Sequence, residues 1–183
     1  MKAVVYNEYA PDDNYSKILK VQDIDDPKPK SDEVVFKVKS AALNYNDIWG
    51  MRGVPVAVPL PHVSGSDAAG DVIAVGEDVK NIKVGDRVVS HSNMSCRVCK
   101  ACTDGREFDC IKRTIWGFQT GPTWGAFQEV THLPEVNVSK IPEGVSYDEA
   151  AAASMTILTS WHMLVGRANI TPGQTVLIMG GGS

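Results

Sequence analysis

The sequence predicts a mainly β domain, a barrel or a sandwich, followed by the first helix and first strand of an α/β nucleotide-binding domain. Three observations predict it. Short strands of two-residue period, broken by turns, occupy the chain up to about Val145. A capped, alanine-rich helix then begins at Ser146. Beyond it, a continuous apolar run leads into a row of glycines.

The β part opens on Met1-Lys-Ala-Val-Val-Tyr6, which reads as a strand rather than as a signal peptide. Val34, Phe36 and Val38 alternate with Val35, Lys37 and Lys39, so one face of that strand is apolar. Asp71-Val-Ile-Ala-Val75 is another strand, closed by Gly76. Arg87-Val-Val-Ser90 is a third, entered from the turn Val84-Gly-Asp86. Pro27-Lys-Pro29, Pro59-Leu-Pro61 and Gly121-Pro122 mark further turns.

The character changes at Ser146-Tyr-Asp-Glu149, a capping box in which each side chain satisfies a free backbone N–H. Ala152, Met155, Leu158, Trp161 and Leu164 follow helical spacing, and the helix is expected to run to about Arg167. After the turn Thr171-Pro-Gly173, the run Gln174–Met179 suits a central parallel strand buried on both faces. Gly180, Gly181 and Gly182 would open a Rossmann fingerprint, where glycines let a pyrophosphate approach the backbone. The expected division is residues 1–150 for the β domain and 151–183 for the linking helix and first strand of a dinucleotide-binding domain. The helix that receives the phosphates should follow Ser183, so a truncated chain, a proteolytic fragment or a partial gene is expected. In that case these 183 residues alone bind no NADPH, and the helix from Ser146 exposes apolar residues that invite self-association.

Composition sets the broad class. Of 183 residues, 43% are hydrophobic and 22% charged, as in ordinary globular proteins, and the net charge of -4 gives no reason to expect nucleic acid or an anionic membrane as partner. No apolar run approaches the roughly 18 residues of a membrane span. A reducing, cytoplasmic setting is the expectation, and there cysteines serve as metal ligands more often than as disulfides.

Cys96, Cys99, Cys102 and Cys110 have the spacing C-x2-C-x2-C-x7-C. Two-residue spacers let neighbouring thiolates converge on one ion, and the longer excursion brings the fourth around. Four thiolates close a tetrahedral shell and leave no position for water or substrate, so the expected site is a structural zinc in a lobe of about residues 91–112.

This lobe, in this place, resembles that of the zinc-type alcohol dehydrogenases. Val84-Gly-Asp-Arg-Val88 looks like that family's Gly-Asp-basic-Val turn, and Gly65-Ser-Asp-Ala-Ala-Gly70 sits where the family has Gly-His-Glu-x-x-Gly. Thr171-Pro-Gly-Gln-Thr-Val-Leu-Ile178 looks like the entry to its cofactor domain. The chain is thus identified as a member of the medium-chain dehydrogenase/reductase superfamily. The resemblance implies a GroES-like, partly open β-barrel, then a Rossmann domain, with hydride transfer from NAD or NADP in the whole protein. A small-molecule substrate and a homo-oligomeric whole protein are also expected.

The departures from the family pattern direct the functional reading. The positions of the catalytic-zinc ligands fall on Asn44, Ser66 and about Met155, and the nearby Glu is Asp67. Asn44-Tyr-Asn-Asp47 instead looks like the Asn-x-x-Asp segment of quinone oxidoreductases and related alkene reductases. Ile115–Thr120 and Trp124–Glu129 look like stretches of the crotonyl-CoA carboxylase/reductases, although Gln119 stands where a Glu is usual. A tyrosine used as proton donor in one enoyl-thioester reductase branch would fall near Val54 and is absent.

Asn44, Asp47, Ser66 and Asp67 are therefore the candidate cleft residues, with Asn44 closest to substrate. Trp116, Phe118 and Trp124 are expected to pack, and His62 to be structural rather than a replacement ligand. The expected function is NAD(P)H-dependent reduction of an activated double bond, in a quinone or an enoyl thioester, without catalytic zinc. The competing readings are a zinc alcohol dehydrogenase with an unusual site and, for these residues alone, a non-catalytic zinc-binding module.

Overall fold

The structure is a computed structural model that describes residues 1–10 and 12–180. In chain order it contains β1 (Lys2–Val5), α1 (Tyr15–Ile18), β2 (Lys20–Asp23), β3 (Glu33–Ala42), α2 (Tyr45–Arg52), β4 (Asp67–Val75), β5 (Arg87–Ser90), β6 (Asn93–Met94), α3 (Lys100–Thr103), β7 (Thr114–Ile115), β8 (Val130–Pro134), β9 (Val138–Lys140) and α4 (Tyr147–Trp161). A π-helical segment, His162–Arg167, continues α4.

The alternation read in Val34–Lys39 produces the central strand of the fold. β3 pairs with β8 on one side and β4 on the other, and the sheet continues through β5 to β9, antiparallel throughout. Two register shifts between β3 and β4, at Val35/Phe36 and Val38/Ser40, each offset the ladder. Such bulges raise the local twist, and here the sheet curls into a half-barrel. Val34, Phe36, Val72, Val88, Leu133 and the fully buried Trp116 fill its inside. Burial of this apolar surface is the main favourable term holding the domain together, at about 25 cal/mol per Å². The GroES-like half-barrel expected from the resemblance is the observed fold.

α4 starts where the capping box puts it. Ser146 Oγ accepts from Glu149 N at 3.2 Å, and Glu149 Oε2 accepts from Ser146 N at 2.8 Å. Its first turns carry Ala150 and Ala151, whose small side chains let the helix lie against Ala69 and Ile141. Past Met155 the helix leaves the sheet, and Ile157 and Trp161 are exposed. The exposed apolar surface expected of this helix is therefore present.

One expectation is corrected. Residues 174–179 form no strand, and Leu177, Ile178 and Met179 are exposed. An apolar strand needs ladder partners on both edges and layers over both faces, and no described strand lies beside this segment. Gly180 is in the left-handed region at φ 69°, whereas Gly181 and Gly182 lie outside the described residues. Among the described residues, no helix is long and apolar enough to cross a membrane.

Candidate active site and thiolate cluster

The cleft is assembled by three chain segments: the start of α2, the start of β4 and the middle of α4. Asn44 caps α2, and the Asn-x-x-Asp spacing lets Asp47, three residues on, fold back to accept from the Asn44 backbone N–H at 2.8 Å. The other oxygen of Asp47 accepts from Gly65 N at 3.0 Å. Asp47 thus ties α2 to the segment before β4. Gly65 carries φ 101°, and Gly117 approaches it so closely that a Cβ on Gly117 would stand 1.8 Å from the Gly65 carbonyl oxygen. Only glycine permits that approach, which packs the turn Trp116–Phe118 behind the cleft.

The Asn44 side chain points toward β4. Its Nδ2 donates to Asp67 Oδ2 at 2.9 Å, and the second oxygen of Asp67 accepts from the backbone N–H of Met155 at 3.0 Å. The Ser154 hydroxyl interacts with the same carboxylate. Asn44, Asp67 and Met155 therefore meet, as their matching family positions imply. Ser66 is fully buried beside them, where its Oγ accepts from Asn46 Nδ2 at 2.9 Å and keeps its own O–H to donate. Ser92 Oγ donates to Met155 Sδ at 3.7 Å. An apolar groove of about 550 Å³, lined by Leu43, Tyr45, Ile48, Met51 and Phe127, runs up to Asn44.

Both carboxylates feel their burial. Desolvation pushes the Asp47 carboxyl up to about 6, against two backbone hydrogen bonds that favour the anion. Asp67 is also raised, again chiefly by burial, with Asn44, Ser154 and Met155 opposing the shift. Asn44, Met155 and Ser154 are all neutral donors to Asp67, which suits an acceptor-only carboxylate.

Asn46 was not singled out from the sequence. Its Oδ1 is buried with no hydrogen-bond partner among the described residues. Its only sequence signal is its place two residues after the cap, in the same Asn-rich segment. His62 is fully buried, with Nδ1 3.1 Å from the Pro59 carbonyl and Nε2 3.1 Å from the Gly117 carbonyl. Burial pushes its pKa down, and the ring serves the wall behind the cleft as expected. Trp116 and Phe118 are core residues, while Trp124 is half-buried and donates from Nε1 to the His132 carbonyl at 2.7 Å. Gln119 turns back to accept from Ile115 N at 3.0 Å.

The four cysteines come together in the loop between β6 and β7. Their sulfurs all lie within 4.8 Å of one another, with Cys96–Cys110 and Cys99–Cys102 at 3.5 Å. Disulfide sulfurs sit at about 2.05 Å, so none is bonded. A tetrahedron of 2.3 Å metal–sulfur bonds has edges of roughly 3.8 Å, and the cluster is close to that size. Backbone N–H groups of Val98 and Cys99 hold the Cys96 thiol down at about 6, so it is a thiolate at neutral pH, the form that binds metal. Among the described residues, no other group of three or more His, Cys, Asp or Glu converges in this way.

The chain as a whole is similar to known proteins. The family model of the alcohol dehydrogenase GroES-like domain matches residues 30–143. The chain is 36% identical over 170 residues to a crotonyl-CoA carboxylase/reductase of Cereibacter sphaeroides, covering 88% of this chain and 39% of the relative. It is 32% identical over 180 residues to an acryloyl-coenzyme A reductase of Metallosphaera sedula, covering 98% of this chain and 51% of the relative. The solved structure of an NAD-dependent alcohol dehydrogenase superposes with a TM-score of 0.86 at 38% identity, over 94% of this chain and 49% of that one. The chain thus spans about half the length of the relatives it matches, or less.

Proposed function

Because the chain belongs to the alcohol dehydrogenase GroES-like family of the medium-chain dehydrogenases/reductases, we propose that the whole protein is an NAD(P)H-dependent reductase of activated C=C bonds, in enoyl thioesters or quinones, with zinc only in its cysteine lobe. The observation that carries this reading is the Asn44–Asp67–Met155 arrangement. A Lewis-acidic zinc needs about three strong protein ligands and an open position. Asn44, Ser66 and Met155 offer an amide, a hydroxyl and a thioether, and both oxygens of Asp67 are already taken by N–H donors.

Reduction of an activated alkene makes a different demand. Its charge is delocalised onto an enolate or quinol oxygen, which hydrogen-bond donors stabilise without a metal. The nicotinamide cofactor, when bound, supplies the hydride. For its part, Asn44 holds the oxygen with its second amide hydrogen, while Asp67 fixes its orientation and the buried Ser66 braces the neighbouring Asn46. The apolar groove beside Asn44 takes the hydrocarbon part of the substrate. Cys96, Cys99, Cys102 and Cys110 would hold one zinc in a closed, structural shell.

Support also comes from the similarity to two acyl-CoA reductases. Turnover by the full-length protein tests the proposal. NADPH- or NADH-dependent reduction of crotonyl-CoA or of a benzoquinone is expected, and Asn44→Ala should lower kcat by about a hundredfold, as loss of an oxyanion donor does. Oxidation of simple alcohols with no reduction of either acceptor would reject it.

A further inference from the structure

A cavity of about 480 Å³ lies between the cysteine lobe and the end of the linking helix. It adjoins the cleft without belonging to it. Met155 faces the cleft, whereas Leu158, Thr159 and His162, on the following turns, line the cavity. Three guanidinium groups line it, those of Arg97, Arg113 and Arg167, against one carboxylate, Glu107. Two unusual backbone features bring them there. Arg97 has φ 61°, which is uncommon for a residue with a Cβ. Arg167 ends the π-helical segment, and such windings concentrate at functional sites.

This charge is not cancelled within the fold. Glu107 meets Arg97 at 3.5 Å, and both side chains are partly exposed. Arg113 donates to the Phe108 carbonyl at 2.9 Å. Arg167 donates to His162 Nε2 at 3.2 Å and lies 5.1 Å from the centre of the Phe108 ring. Neither Arg113 nor Arg167 has a carboxylate within ion-pair distance among the described residues. The cysteine sulfurs do not engage the guanidinium groups either, because the N–H groups that reach them are backbone ones, such as Cys96 N and Cys99 N at 3.4 Å.

We propose that this cavity binds the phosphate groups of a coenzyme A-type acyl carrier and so directs its thioester into the Asn44 cleft. The inference rests on the enoyl-thioester form of the proposed function. Guanidinium groups pair with phosphate oxygens through two parallel hydrogen bonds, and three of them against one carboxylate match a polyanionic group. From Met155 to His162 is about two helical turns, roughly 10 Å, a gap for the flexible pantetheine arm. A quinone or a simple alcohol carries nothing that uses such a cavity.

The test compares crotonyl-CoA with crotonyl N-acetylcysteamine thioester, which has the same acyl group and no phosphate, in the full-length protein. Arg113→Gln and Arg167→Gln should each raise KM for crotonyl-CoA by about tenfold, the scale of one lost charge-assisted hydrogen bond. They should leave kcat, and KM for the short thioester, within about twofold, an effect that a merely structural role could not confine to one ester. An unchanged KM for crotonyl-CoA, or an equal rise for both esters, overturns the proposal. Calorimetric titration with inorganic diphosphate reads the cavity without turnover: binding that weakens at least about tenfold in the double variant is expected, and no binding overturns the phosphate site. If neither thioester is reduced while diphosphate still binds and the double variant weakens it, the enoyl-thioester reading and the acyl-carrier assignment fail together, and the phosphate chemistry of the cavity stands.

Discussion

Asp47 is 3% exposed, and its two backbone donors do not offset the loss of water, so its carboxyl titrates at about 6 rather than 3.8. A raised carboxyl pKa means that the folded protein holds the proton more tightly than the unfolded chain. The stabilising contribution is therefore full below pH 3.8 and is lost as pH rises through about 6. Asp47→Asn removes this titration, although it also disturbs one backbone hydrogen bond at every pH. The stability difference between the native protein and the variant should accordingly be larger at pH 5 than at pH 7 by about 1 kcal/mol. Denaturant titrations at the two pH values measure it, and a difference independent of pH would show that Asp47 is ionised throughout. Capping by Asp47 is a local effect that depends on a three-residue spacing. The grip of Asp67 on Met155 is not local, since the two are 88 residues apart and only the fold brings them together. Asn46 was missed for the same reason, because its amide is engaged by Ser66, 20 residues on.

At the scale of elements, local chemistry predicted starts better than ends. The capping box at Ser146 sets the beginning of α4, and Ser146→Ala should cost about 1 kcal/mol, read as a lower denaturation midpoint with an unchanged slope. No change would mean that packing of Ala150 and Ala151 alone fixes the helix start. The helix end differs from the expected regular run to Arg167, because the last turns wind as a π-helix and pack on the cysteine lobe through His162 and Phe108, 4.5 Å between ring centres. That contact joins two elements far apart in sequence and leaves no periodic trace. β3 and β4 were legible as strands because alternation marks a half-buried sheet. Their bulges were not, yet the bulges set the curl of the half-barrel. Residues 174–179 mark the limit of pattern reading: an apolar run states what a segment can bury, whereas the surrounding layers decide whether it does.

Across the whole molecule, two centres divide the chemistry. The cysteine lobe gathers four soft sulfur ligands in a closed set, while the cleft gathers neutral donors around Asp67. The convergence of the four cysteines was legible because they are close in sequence and their spacing suits a tetrahedral shell. That Asn44, Asp67 and Met155 meet follows from the matching family positions, whereas their hydrogen bonds are seen only in the fold. In the proposed function, zinc belongs to the lobe alone and the cleft works through hydrogen-bond donors. Metal analysis of the purified, active full-length protein separates this from a second zinc in the cleft. One zinc per chain is expected, lost in Cys102→Ser and retained in Asp67→Asn. Two zincs per chain, with one surviving Cys102→Ser and disappearing in Asp67→Asn, would contradict it.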